Sequence, residues 1–110
     1  MNEHQIRLLF EIKKLIRAKK RHFKIRNDRN YLEDLLELGI TEQEAWNHIL
    51  YLKPQFYFID PKPNYSKPVN ECLVFKKNIN GKIAYIKICI NSDNVEAECW
   101  SFHEDKRRKL

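Results

Sequence analysis

Residues 71–91 read ECLVFKKNINGKIAYIKICIN, and this stretch decides the architecture. Asn80-Gly81 is a short hairpin signal, because a type I′ turn needs positive φ at both central positions. The flanking runs, Glu71–Lys77 and Lys82–Asn91, are rich in β-branched and aromatic residues and read as two strands. Strand alternation in the second run sends Ala84, Ile86, Ile88 and Ile90 to one face, which must meet a core. Tyr85 and Lys87 point the other way, beside Ile83 and Cys89. Asn91-Ser92-Asp93-Asn94 makes a second turn, and Val95–His103 completes a three-stranded meander.

Working outward, the apolar period changes from two to 3.6. From Glu3 to about residue 20, Ile6, Leu9, Phe10, Ile12, Leu15 and Ile16 follow a helical spacing with lysines and arginines opposite. The basic run Lys19–Arg26 holds Phe23 and Ile25 in alternation and reads as a short extended segment. A second helix is expected from an N-cap at Asp28, burying Tyr31, Leu32, Leu35 and Leu36 and ending at Gly39. Thr41-Glu42-Gln43-Glu44 is a capping box, opening a third helix that buries Ala45, Trp46, Ile49 and Leu50 and stops before Pro54. Gln55–Ile59 reads as β-rich, and Asp60-Pro61-Lys62-Pro63-Asn64 as an extended loop. The fold class expected is therefore α+β, with N-terminal helices packed on a small antiparallel sheet. The chain is read as one domain, residues 1–110: mainly helical over 1–53, mainly sheet over 54–104, with a basic tail over 105–110.

The 110 residues carry a net charge of +6, unevenly placed. Ten basic residues against Glu3, Glu11 and Asp28 give the segment from Met1 to Arg29 a charge of +7. Such a segment attracts polyanions, or is simply a solvated helix face. Cys72, Cys89 and Cys99 form no C-x-x-C pair and no zinc spacing with the histidines, so they read as reduced core thiols of a cytoplasmic protein, with no metal or cofactor implied. No stretch approaches the ~20 apolar residues of a membrane span, so no membrane partner is expected. There is no Gly-rich phosphate loop, no G-x-S-x-G and no H-E-x-x-H, which leaves nucleotide-triphosphate, serine-hydrolase and zinc-protease chemistry unsupported.

The last strand supplies the candidate chemistry. If Trp100 and Phe102 join the core, Ser101 and His103 share the open outer face with Tyr85 and Lys87. RNA cleavage by 2′-hydroxyl attack needs a base, a proton donor for the leaving oxygen and positive charge at the phosphate. A histidine titrates near ~6.5 and suits the first two tasks, Lys87 the third, and Tyr85 a hydrogen bond to phosphate or a stack on a base. Read blandly, the same residues are an exposed histidine, a lysine shielding the sheet and an amphipathic tyrosine. Lys19, Lys20, Arg21, Lys24 and Arg26 are candidate phosphate contacts, as are Lys62 and Lys76, with Tyr57 as a stacking platform near Phe56, Phe58 and Tyr65.

Leu35-Leu36-Glu37-Leu38-Gly39-Ile40-Thr41, Gln55-Phe56-Tyr57, Val74-Phe75 with Asn80-Gly81-Lys82, Ala84-Tyr85-Ile86-Lys87-Ile88 and Ser101-Phe102-His103-Glu104 occur in an order that resembles the motility quorum-sensing regulator toxins. The similarity runs from about residue 30 to the C-terminus. It implies a RelE-like fold and a type II toxin that cleaves mRNA, free or on the ribosome, and is neutralised by a cognate antitoxin. By that resemblance Tyr85 takes the place of the family's reactive tyrosine, and His103 that of its C-terminal lysine. Phe58 stands where the family has a lysine, and Cys72 near its glutamine. Two other readings compete: a non-catalytic nucleic-acid-binding or regulatory protein of a phage or mobile element, and an interaction module whose basic helix docks an acidic partner.

Overall fold

The protein is seen in a computed structural model that describes residues 1–58 and 71–106. Helices α1 (Glu3–Arg17), α2 (Tyr31–Leu38) and α3 (Glu42–Leu50) and a 3₁₀ turn (Pro54–Phe56) precede β2 (Glu71–Ile79), β3 (Lys82–Asn91) and β4 (Glu96–Glu104). The basic run after α1 is extended, as its alternation suggested, but it also joins the sheet as β1 (Arg21–Phe23). The strand order is β1-β4-β3-β2. β2, β3 and β4 are antiparallel, while β1 runs parallel to β4, so the α+β sheet is mixed rather than wholly antiparallel.

The hairpin sets the register. Asn80 and Gly81 have φ of 53° and 84°, both left-handed as the turn requires. Pairing then starts at Ile79 with Lys82 and runs without a slip to Glu71 with Ile90. The turn also ends a helix. The Asn80 side-chain amide donates to the Leu38 carbonyl (2.8 Å) and Lys82 Nζ to the Glu37 carbonyl (2.8 Å), satisfying C-terminal acceptors of α2 and placing a cation at its negative end. Gly39 follows in the left-handed conformation (φ 76°).

Helix starts are built by side chains. Thr41 Oγ1 accepts from the Glu44 amide (3.1 Å) and Glu44 reaches back to the Thr41 amide (2.8 Å), the reciprocal box expected. Helix α2 opens two residues later than expected. Asn30, not Asp28, accepts from the amides of Leu32 and Glu33, because Asp28 is engaged by Arg26. The helix buries Leu35 and Leu38 and leaves Leu32 and Leu36 exposed, contrary to expectation. Ile6 and Phe10 of α1 are likewise exposed, and the helix buries Leu8, Leu9, Ile12 and Ile16. Pro54–Phe56 form the 3₁₀ turn and Tyr57 makes a single bridge to Phe75, instead of a strand, and Ile59 lies outside the described residues. The loop predicted over 60–64, with Lys62 and Tyr65, and the tail residues 107–110 lie outside the described residues.

The helices cover one face of the sheet. Phe75, Ile86, Ile88, Phe102 and Ala97 meet Ile12, Ile16, Leu35, Leu38 and Ile49 in one core. Phe23 stacks on Tyr31 (centroids 4.4 Å apart) and packs on Trp46, tying β1 to α2 and α3.

The cysteine reading is corrected. Cys72 and Cys89 are directly opposite on β2 and β3 and form a disulfide, closing a separation of 17 residues. Cys99 is the free, buried thiol, its pKa pushed up by burial. Loop-closure entropy makes such a bond worth about 3 kcal/mol. Reduction, or Cys72→Ala with Cys89→Ala, is expected to lower the urea unfolding midpoint by that equivalent without changing the fold.

Candidate active site on the outer sheet face

Three strands present side chains in rows on the face away from the helices. Lys76 of β2, Tyr85 of β3 and His103 of β4 form one row, each opposite the next. Val74, Lys87 and Ser101 form the adjoining row. The expected neighbours are therefore together, although one premise fails. A bulge between Lys87 and Ile88 leaves Trp100 between Ser101, which pairs with Lys87, and Cys99, which pairs with Ile88. Trp100 consequently does not join the core. Its ring lies under Lys24 Nζ (4.9 Å) and Lys87 Nζ (5.5 Å), and its Nε1 donates to Glu98 (2.8 Å).

Tyr85 and His103 stack, with ring centroids 5.5 Å apart and planes 19° from parallel. His103 Nδ1 lies 2.9 Å from the Glu104 carbonyl oxygen, which can only accept. That contact places the proton on Nδ1 and the lone pair on Nε2. Burial holds the imidazole pKa below its ordinary value, with Arg29 and Arg26 acting in the same direction. Burial thus favours the uncharged ring, in which Nδ1 carries the proton and Nε2 is the basic atom.

Several cations are anchored on this side of the sheet. Arg26 leaves the sheet just past β1 and reaches back to the uncovered edge of β4. Its Nη1 donates to Ser101 Oγ (2.9 Å) and the Trp100 carbonyl (3.1 Å), while Nε and Nη2 hold Asp28. The Arg26 hydrogen bond keeps the Asp28 carboxyl below its ordinary range. Arg29 forms a bidentate pair with Asp34. Lys76 reaches Asp105, whose side chain is almost fully buried (2.7 Å), and lies over the Phe58 ring (3.9 Å). Phe58, at a position where a lysine was expected from the resemblance, thus packs against a lysine from the neighbouring strand.

The face is covered rather than open, which corrects the sequence reading. Tyr85 is 8% exposed, and Val74, Ser101, Glu98 and Cys89 are also buried. His103 and Lys87 remain half-exposed. A partly dry setting strengthens any charge interaction made there.

The other candidate contacts fall elsewhere. Lys19 and Lys20 lie where β1 begins, beside Ala97, about 20 Å along β4 from His103 by strand rise. Arg21 points to the helix side, donating to the Ile16 carbonyl (2.9 Å) and lying over Trp46. Tyr57 accepts from Gln5 (2.8 Å) and packs edge-on against Phe75, so it is a structural tyrosine. Of the six described cations proposed for phosphate contact, Arg26 acts on the His103 ring, Lys76 stands across Tyr85 in the same row, and Lys24 lies over Trp100.

Sequence reasoning missed a second group on this face. His22 of β1 lies between Glu96 (3.1 Å) and the buried Glu98 (2.7 Å), clamping the short parallel strand onto β4. Burial works against the Glu98 charge, but hydrogen bonds from His22 and Trp100 outweigh it and hold the pKa below the ordinary value. Glu98 therefore contributes stability that is full above its unfolded pKa and fades as pH falls through the folded one. The stability difference between wild type and Glu98→Gln, from urea titrations, is expected to shrink steadily on acidification.

No protein-family model matches the chain, and no curated protein does. Among the described residues no helix is long and apolar enough to cross a membrane.

Proposed function

We propose that the protein is an endoribonuclease of the toxin type, cleaving RNA through attack of the ribose 2′-hydroxyl. The observation that carries the proposal is the His103 geometry: an imidazole whose burial disfavours its charged form, its Nδ1 held at the Glu104 carbonyl, stacked on Tyr85, with Arg26 and Arg29 acting on it and Lys87 in the adjoining row. His103 Nε2 takes the 2′-hydroxyl proton as the O2′–P bond forms. Lys87 and Arg26 meet the charge growing on the phosphate oxygens. The P–O5′ bond breaks, Lys87 supplies the proton to O5′, and the products are a 2′,3′-cyclic phosphate and a 5′-hydroxyl. Because Tyr85 is buried, its part is to hold the His103 ring in place rather than to touch substrate. The partners on this reading are mRNA, free or on the ribosome, and a cognate antitoxin. A cytoplasmic location then rests on the RNA target alone, since the Cys72–Cys89 bond removes the cysteine argument for it.

The test is inducible expression in a bacterial host, scoring growth and total RNA. Arrest with transcript loss is expected for the wild type and not for His103→Ala. One observation favours the non-catalytic nucleic-acid-binding reading instead. Arg26, Arg29 and Lys76 already hold carboxylates, which suits a stable charged surface as well as a reaction centre. On that reading RNA binding is salt-sensitive and indifferent to His103→Ala.

A further inference from the structure

A second cluster of basic groups lies on the helix side of the sheet, around the end of α3. Lys77 of β2 points toward α3, and its Nζ is 3.0 Å from His48 Nδ1. Glu44, Asn47 and Tyr51 complete the lining of a cavity of about 300 Å³ with them. Lys53, at the start of the 3₁₀ turn, adds its field to Lys77.

We propose that this cavity binds a phosphate group through Lys77 and His48, with Lys53 alongside. Two basic nitrogens at 3.0 Å cannot both be charged without a strong like-charge cost, so a single proton serves the contact, donated by the Lys77 ammonium to His48 Nδ1. Both groups are held below their ordinary pKa: burial lowers Lys77, with Lys53 second, and burial lowers His48, with Lys77 second. Glu44 is the acidic group facing His48, but its carboxylate is engaged at the Thr41 amide in the capping box. Among the described residues no carboxylate forms an ion pair with Lys77 or His48. With Nδ1 accepting from Lys77, His48 presents its Nε2–H as a second donor. An oxyanion that draws the Lys77 ammonium away from Nδ1 and accepts from both groups places negative charge between them, and the freed Nδ1 takes up a proton from solvent. Phosphate fits the donor set, since its several oxygens accept charge-assisted hydrogen bonds from ammonium and imidazole together. The site shares no residue with the proposed cleavage centre and does not depend on it.

The test follows the His48 side-chain resonances of the full chain by NMR during titration with inorganic phosphate at neutral pH. Chloride at matched ionic strength is the control. Saturable movement of the His48 signals toward the imidazolium form, absent with chloride, is expected. Lys77→Met should weaken binding by about tenfold or more, the loss of one charge-assisted hydrogen bond, and Lys77→Arg should retain it. His48→Gln, read through the amides of Tyr51 and Lys77, should weaken it as well and serves if Lys77→Met does not fold. Dimethyl phosphate and a nucleoside monophosphate separate the sources. Binding of both assigns the site to a nucleic-acid backbone, and binding of the monoester alone to a small phosphorylated molecule. An equal response to chloride, or phosphate binding unchanged in Lys77→Met and His48→Gln, overturns the proposal.

Discussion

His103→Ala is expected to lower the rate of RNA cleavage by about 10²–10⁴-fold, the usual worth of a positioned general base, while near-ultraviolet circular dichroism stays that of the wild type. Tyr85→Phe should cost far less, because the phenylalanine ring still stacks on His103, whereas Tyr85→Leu removes the stack and should cost more. The pH profile is a separate signature. Burial depresses the His103 pKa, so the base form persists to lower pH and the acid limb of cleavage should fall below the ordinary ~6.5 of histidine. Arg29→Ala deletes a cation that helps depress it and leaves Asp34 without its partner, so the limb should move to higher pH. An unchanged limb in Arg29→Ala would show that another group is being titrated.

Phe75→Ala carries the largest expected loss of stability, about 3–5 kcal/mol by equilibrium urea unfolding. Phe75 is fully buried at the middle of β2, opposite Ile86, and it is where Tyr57 and the 3₁₀ turn lean on the sheet. Truncation leaves a void that rigid neighbours on two strands cannot close, and total stability for a domain is only about 5–15 kcal/mol. The same change at exposed Phe10, which shares the apolar spacing of α1, should be nearly neutral. A loss at Phe75 no larger than at Phe10 would mean that the core is not packed as described.

Much of the fold was legible because several local signals agreed. The Asn80-Gly81 turn fixed both the hairpin and its register, and Thr41 with Glu44 marked a helix start to the residue. The alternation of Ala84, Ile86, Ile88 and Ile90 named the buried face of β3. What escaped depended on tertiary context. A three-residue strand such as β1 has too little pattern to distinguish it from a loop, and it exists because His22 finds two carboxylates on β4. The leucines of α2 fit two helical stripes equally well, and packing on the core selects Leu35 and Leu38. Trp100 was assigned to the core because a bulge breaks parity without any glycine to announce it.

The candidate site was legible in part for the same reason. His103, Tyr85, Lys87 and Ser101 meet because the bulge precedes them and leaves their own pairing regular. The disulfide could have been found. A two-residue turn at Asn80-Gly81 pairs Ile79 with Lys82, and counting back seven residues on each arm brings Cys72 opposite Cys89. Composition pointed to the N-terminal basic segment as a whole, yet only its end, Arg26 and Arg29, acts on His103. Net charge locates a polyanion preference but cannot say which members of a run turn toward one face.

The most direct measurement is the chemistry of the RNA ends left by the purified protein. A labelled RNA is incubated with wild type and with His103→Ala, beside a substrate carrying a 2′-deoxy sugar at the cleaved position. Products ending in a 2′,3′-cyclic phosphate with 5′-hydroxyl partners, lost with His103→Ala and with the deoxy substrate, are expected if His103 drives 2′-hydroxyl attack. Intact RNA with the folded wild type, or cleavage indifferent to either change, would contradict a cleavage centre on the outer sheet face.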